Sequence, residues 1–205
     1  MDFEQLAKIE NESERVNRTY DIFNEDARLN HSKAARVEFL TTVHYIEKYL
    51  KDGDKILDIG AGAGAGEYGL YFARKGYEVS ALELADANIA AFKKKLIPED
   101  KIDLVQGNAL DLSRYADKSF DIVLLFGPLY HLKNDADKQK CISEAKRVCK
   151  DGGKIFFLVI NAIGLALFKK QIPAKYENYI HFAGLVLLLA LMAVITFSDV
   201  WKLIH

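Results

Sequence analysis

Residues 55–66 read KILDIGAGAGAG, and their reading decides the fold. The first half is a short apolar run suited to a parallel strand buried on both faces. The second half sets Gly60, Gly62, Gly64 and Gly66 at alternate positions. Glycine serves where a backbone turns with dihedrals that a side chain resists, or where a ligand must come nearer than a Cβ allows. The amphipathic stretch 67–75 follows at once, so the loop is predicted to open a helix whose free N–H groups face the same crevice. The expected occupant is nucleotide-like.

Gly60, Gly62 and Ala65 satisfy the dinucleotide pattern in its alanine-tolerant form, so glycine spacing alone leaves NAD and other adenosyl ligands open. Asp58 separates them. A carboxylate two residues before the first glycine repels a pyrophosphate, whereas S-adenosylmethionine carries a cationic amino group and a sulfonium. The motif DIGAGAG, residues 58–64, resembles the DxGxGxG first motif of class I S-adenosylmethionine-dependent methyltransferases.

Outward from that motif, the chain alternates strands and helices. Residues 77–84 (YEVSALEL) read as a second strand that carries Glu83 about 20 residues past the glycines, where a carboxylate reaches ribose hydroxyls in doubly wound folds. A helix over 85–96, a turn at Pro98 and a third strand over 102–106 follow. The fourth strand is predicted over 119–126, with GPLYHL beyond it as a loop, then a helix over 135–150 and a fifth strand over 155–160. Five alternations imply a Rossmann-like, doubly wound, mostly parallel α/β sheet. Two helices, over 3–23 and 32–50, are expected before the first strand, the second with Val37, Leu40, Val43, Ile46 and Leu50 along one face.

The resemblance covers residues 20–160 and implies roles for particular positions. Asp58, Gly60, Gly62, Gly64 and Glu83 would bind the cofactor. Asn108 and Ala109, in GNALDL, would line the adenine pocket, and Phe126, at the end of the fourth strand, is also assigned to cofactor binding. The N-terminal helices would cover the cofactor and help to form the acceptor pocket. Tyr20, Arg28 and His44 lie there, but a lone Tyr or His on such a helix is more often packing, and none is given a role. His131, with Tyr130 beside it, is the candidate catalytic base, because imidazole titrates near neutral pH.

Of the 205 residues, 50% are hydrophobic and 28% charged, enough for one domain with a core, and a formal net charge of -1 offers no argument for a nucleic-acid partner. Cys141 and Cys149 are expected on one helix, about 12 Å apart and beyond disulfide reach. The polar N-terminus lacks the apolar core of a secretory signal, so the first part of the chain is expected in the cytoplasm.

Three regions are expected: a helical cap over 1–50, the cofactor-binding domain over 51–161, and a linker with a C-terminal hydrophobic helix over 162–205. The sheet is expected to stop after its fifth strand, short of the further helix and two strands of the resembled family. The apolar run 182–203 is long enough to cross a bilayer and follows Lys169, Lys170 and Lys175, so a membrane anchor is predicted. Residues 151–205 are also similar to the last membrane segment of site-2 zinc metalloproteases, in which the Asp of DGG, here Asp151, ligates zinc. No HExxH accompanies it, and no metal site is assigned. The expected function is methyl transfer from S-adenosylmethionine to a small-molecule acceptor. The alternative is a catalytically inactive, membrane-attached cofactor-binding module from a fused or truncated gene.

Overall fold

Two helices precede the first strand. Asn11 opens α1 (Glu12–Ile22), its Oδ1 accepting from the Glu14 N–H at 3.0 Å, and Ser32 opens α2 (Lys33–Glu47), its Oγ accepting from the Ala35 N–H at 3.1 Å. Each cap satisfies a donor that a helix start leaves free and is worth about 1 kcal/mol. The apolar run before the glycines forms β1 (Lys55–Ile59), followed by α3 (Glu67–Arg74), β2 (Glu78–Glu83) and α4 (Asp86–Lys95). Then come β3 (Ile102–Gln106), β4 (Phe120–Leu125), the single turn α5 (Pro128–His131), α6 (Asp135–Val148) and β5 (Cys149–Phe157). The computed structural model describes residues 5–157 apart from 7, 24, 27 and 63.

The described strands form one sheet in the order β3-β2-β1-β4-β5, with every pairing parallel. The chain runs outward from β1 to β3, then returns to lay β4 on the other side of β1. The strand order therefore reverses between β1 and β4, and a crevice opens beyond their carboxyl ends. Alternation along the strands sorts the core. Leu57, Ile59, Leu82, Val123 and Leu125 meet Cys141, Ala145 and Val148 of α6 on one face. On the other, Ile56, Val79, Ile122 and Leu124 meet Phe39, Val43 and Ile46 of α2 and Tyr68 and Phe72 of α3. A sheet covered on both faces explains why β1 and β4 read as nearly unbroken apolar runs.

The structure departs from the sequence reading at four places. Asn11 caps α1, so this helix begins at Glu12 instead of running from residue 3. On α2, Val37 is 61% and Leu40 48% exposed, while Ala35, Phe39, Val43 and Ile46 enter the core. A step of three residues falls about 60° short of a full turn, so 37, 40 and 43 drift around the helix, whereas 35, 39, 43 and 46 hold one stripe. GPLYHL is not a loop throughout, because Pro128 starts the turn α5 with its φ already set.

The fourth departure is at α6 and β5. The helix ends at Val148, and Cys149 opens the strand by pairing with Phe120. Lys154 then pairs with Ile122, so 150–153 bulge from the ladder, with Gly152 at φ +81°. The DGG segment is thus a bulge inside the strand. Cys141 and Cys149 are both free and buried, but they lie on different elements, so the helical spacing argument does not apply to them. Asp151 pairs with Lys118 at 2.6 Å. The rest of the fifth strand to Ile160, the linker, the membrane span over 182–203 and the protease-like tail beyond residue 157 lie outside the described residues. Among the described residues no helix is long and apolar enough to cross a membrane.

Candidate active site

The glycine loop forms one wall of the crevice, and its glycines differ in what they permit. Gly60 has φ +76°, and a Cβ there would stand 2.6 Å from Cδ of Pro128, so the loop after β1 touches the start of α5 across the switch in strand order. Gly62 needs no unusual φ. A Cβ on it would lie 2.7 Å from Oε2 of Glu83 and would collide with the Asn88 amide, so this position is bare because the end of β2 presses against it. Lys95 braces the loop from α4, donating to the Gly64 carbonyl at 2.9 Å and pairing with Glu67 at 3.2 Å and Asp26 at 2.8 Å.

Two acids sit behind the loop. Asp58 continues the Ile56 face of β1, and Glu83 continues the Val79–Ala81 face of β2, so alternation and the parallel register place both carboxyls on the same side of the sheet. Their exposures are 2% and 4%. Burial, and then the charge of Glu83, push the Asp58 carboxyl up to about 7. Burial also raises Glu83, against the hydrogen bonds it accepts from the Ala85 N–H at 2.8 Å and the Asn88 amide at 3.4 Å. A cationic group beside this pair would lower both values and stabilise both anions. Two buried carboxyls at the carboxyl ends of neighbouring strands therefore fit a ligand with a cationic end.

The opposite wall is α1, which lies across the ends of three strands. Ser13 Oγ accepts from Asn108 Nδ2 at 3.2 Å beyond β3, and Asn17 Oδ1 accepts from the Asp86 N–H at 3.0 Å beyond β2. Arg15 donates to the His131 carbonyl at 3.0 Å beyond β4, and Tyr20 Oη stands 2.8 Å from His131 Nε2. Burial, then Arg15, lower the His131 pKa. Burial, then Glu25 and Glu83, raise that of Tyr20, with Arg28 opposing. Both shifts favour the neutral forms.

The remaining sequence candidates take varied places. Asn108 Oδ1 accepts from the Leu110 N–H at 2.8 Å, which shapes the turn after β3, and Ala109 packs at the edge of the α6-side core. Phe126 is buried in the other core, edge-on to Tyr68 with ring centroids 5.0 Å apart. Tyr130 is half exposed on α5. Sequence reasoning gave no part to Asn88, or to Lys95, Arg15 and Tyr20, whose contacts with the site span long sequence separations. Pro128, in GPLYHL, was the available signal for the close approach to Gly60. A depression of about 470 Å³ lined by Gly53, Glu78, Lys101 and Asp103 lies at the other end of the sheet, among exposed charges and away from the two acids.

Comparison with known proteins agrees with this geometry. Residues 57–157 match the family described as a methyltransferase domain. The chain is 34% identical over 104 residues to a demethylmenaquinone methyltransferase of Clavibacter sepedonicus, covering 50% of this chain and 40% of that protein. It is 30% identical over 161 residues to a ubiquinone/menaquinone biosynthesis C-methyltransferase of Xylella fastidiosa, covering 75% and 59%. The chain thus spans about half the length of these curated relatives. A crystal structure of a Pyrococcus horikoshii protein superposes with a TM-score of 0.62 at 24% identity, over 78% of this chain and 76% of that one, which shows the shared fold. A SAM-dependent methyltransferase of Methanosarcina mazei gives 0.52 at 27% identity, over 61% of each chain. Together these matches show that residues 57–157 are similar in sequence and fold to methyltransferase domains.

Proposed function

We propose that the chain binds S-adenosylmethionine in the crevice between β1 and β4 and transfers its methyl group to a small-molecule acceptor. The observation that carries this reading is the pair of buried acids, Asp58 and Glu83, behind a loop kept bare at Gly60 and Gly62. When bound, the cofactor supplies a methyl group already activated by a sulfonium, so the protein needs no nucleophile of its own. Its residues act by positioning. Asp58 holds the cationic end and Glu83 the ribose hydroxyls. Gly60, Gly62 and Gly64 shape the loop whose backbone meets the ligand, while Asn108 and Ala109 border the base. Ser13, Arg15, Asn17 and Tyr20 lay α1 over the crevice and exclude water.

Relatives named for quinone substrates support an acceptor that is a small organic molecule. Isothermal titration tests the cofactor reading: S-adenosylmethionine is expected to bind and NAD to fail, because Asp58 repels a pyrophosphate. Tighter binding of NAD would overturn it. The apolar run 182–203 is proposed, on its sequence alone, to anchor a cytoplasmic catalytic domain to the membrane. Fractionation of the chain with and without residues 176–205 tests that, and a full-length chain that stays soluble without detergent would refute it.

A further inference from the structure

We propose that Asn88 is a positioning residue that sets the ribose selectivity of the cofactor site: its side-chain amide holds the Glu83 carboxylate in the one orientation that meets the ribose hydroxyls. The inference rests on the reading above, in which Glu83 accepts from that ribose.

The place of Asn88 in α4 leads to it. The buried face of this helix is made by Asn88, Ile89 and Phe92, and Asn88 is only 4% exposed. Asn is a weak helix former, and an amide taken out of water costs free energy unless its hydrogen bonds are made. Leucine has nearly the same shape and would suit both the helix and the burial better. What the amide adds is a donor aimed at a buried anion, for its Nδ2 stands 3.4 Å from Oε1 of Glu83. The acid also decides which end of the amide faces it, because a carboxylate accepts and only the nitrogen donates.

The Ala85 N–H reaches the same oxygen at 2.8 Å. Both lone-pair positions of Oε1 are thereby used by donors from the start of α4. Oε2 lies towards the glycine loop, 2.7 Å from the point where a Cβ on Gly62 would stand, and the same Cβ would come within 2.3 Å of Asn88 Nδ2. Loop, amide and carboxylate are thus packed against one another. With the Ala85 contact alone, the carboxylate could turn about a single bond. Two donors on one oxygen fix its plane and keep Oε2 directed at the loop, so the acceptor is ordered before a ligand arrives and binding does not have to order it. Burial raises the Glu83 pKa and the bonds from Ala85, Asn88, Gly62 and Leu84 oppose that rise, so the amide also helps to keep the group an acceptor.

Titration of the full chain with S-adenosylmethionine and with its analogues lacking the 2′- or the 3′-hydroxyl tests this. Wild type is expected to prefer the intact cofactor to at least one analogue by about 10-fold, the worth of a hydrogen bond to a charged acceptor. Asn88→Leu, which keeps the shape and removes the donor, should lower affinity for S-adenosylmethionine about 10-fold and leave that analogue within about twofold, so that the preference disappears. Asn88→Asp, of the same size but without a donor, should lose the preference as well, and it decides the matter alone if Asn88→Leu does not fold. A preference that survives in the folded variants, with intact cofactor and analogue weakened equally, marks a packing contact and overturns the proposal. Loss of the fold in both variants overturns it too. A wild type that binds S-adenosylmethionine but ignores both deletions refutes the ribose role of Glu83 together with this proposal, while a wild type that binds no S-adenosylmethionine refutes the methyl-transfer reading itself.

Discussion

The glycine-loop wall of the crevice is built from neighbours in the chain, residues 58–67, and is backed by buried apolar groups such as Leu29 and Phe92. Among the described residues the α1 wall, besides burying Val16, makes four polar contacts that join residues 69 or more positions apart. Hydrogen bonds of this kind contribute about 0.5–1.5 kcal/mol each, far less than the packing that fixes the loop. The comparison teaches a division of labour. One wall is a rigid cradle set by the sheet, and the other is a helix that can part from it at a modest cost, giving a ligand a way in.

The largest effect expected from breaking the rigid side comes from Gly62→Ala. The new Cβ would collide with Asn88 and crowd Glu83, and overpacking of about 1–3 kcal/mol corresponds to a loss of roughly 10- to 100-fold in S-adenosylmethionine affinity by titration. Glu83→Ala should cost somewhat less, because it removes a charged acceptor worth about 1.5–3 kcal/mol but also relieves its repulsion of Asp58. Unchanged affinity in both variants would show that the cofactor lies elsewhere.

On the other wall, Asn17→Ala removes the contact to the Asp86 N–H and should weaken α1 docking by about 1 kcal/mol. Hydrogen exchange should then speed up in α1 while the amides of β1 and β4 stay protected. If both walls exchange together, they form a single cooperative unit and the contrast between them is lost.

The rigid wall was legible because its information is local. The run KILDIGAGAGAG carries strand, loop and helix start within residues 55–67, and an acid inside VSALEL marks Glu83 by interrupting an apolar strand. The parallel sheet followed from alternating elements. The α1 wall was not legible, since nothing near Tyr20 in the chain announces His131, 111 residues away. Arg15 read as one charge among many on a polar helix, yet it is buried against the His131 carbonyl. The face of α2 was misread for a different reason: spacing by threes resembles a stripe but drifts around the helix. The break at Cys149 was hidden because DGG signals a turn, and a bulge inside a strand uses the same residues.

The central claim is that Asp58 is held in an unfavourable buried state for the sake of a cationic ligand, and thermal unfolding of wild type and Asp58→Asn across pH tests it most directly. A carboxyl raised from its ordinary value of 3.8 to about 7 in the folded chain contributes stability that is complete below pH 4 and lost as the pH rises through about 7. Without ligand, Asp58→Asn should therefore match wild type near pH 4 and exceed it increasingly up to pH 8, by about 2–4 kcal/mol. With S-adenosylmethionine present at pH 8, the order should reverse, because the carboxylate then has its cation and the amide has none. A variant no more stable than wild type at pH 8, or one stabilised by the cofactor as strongly as wild type, would contradict the account.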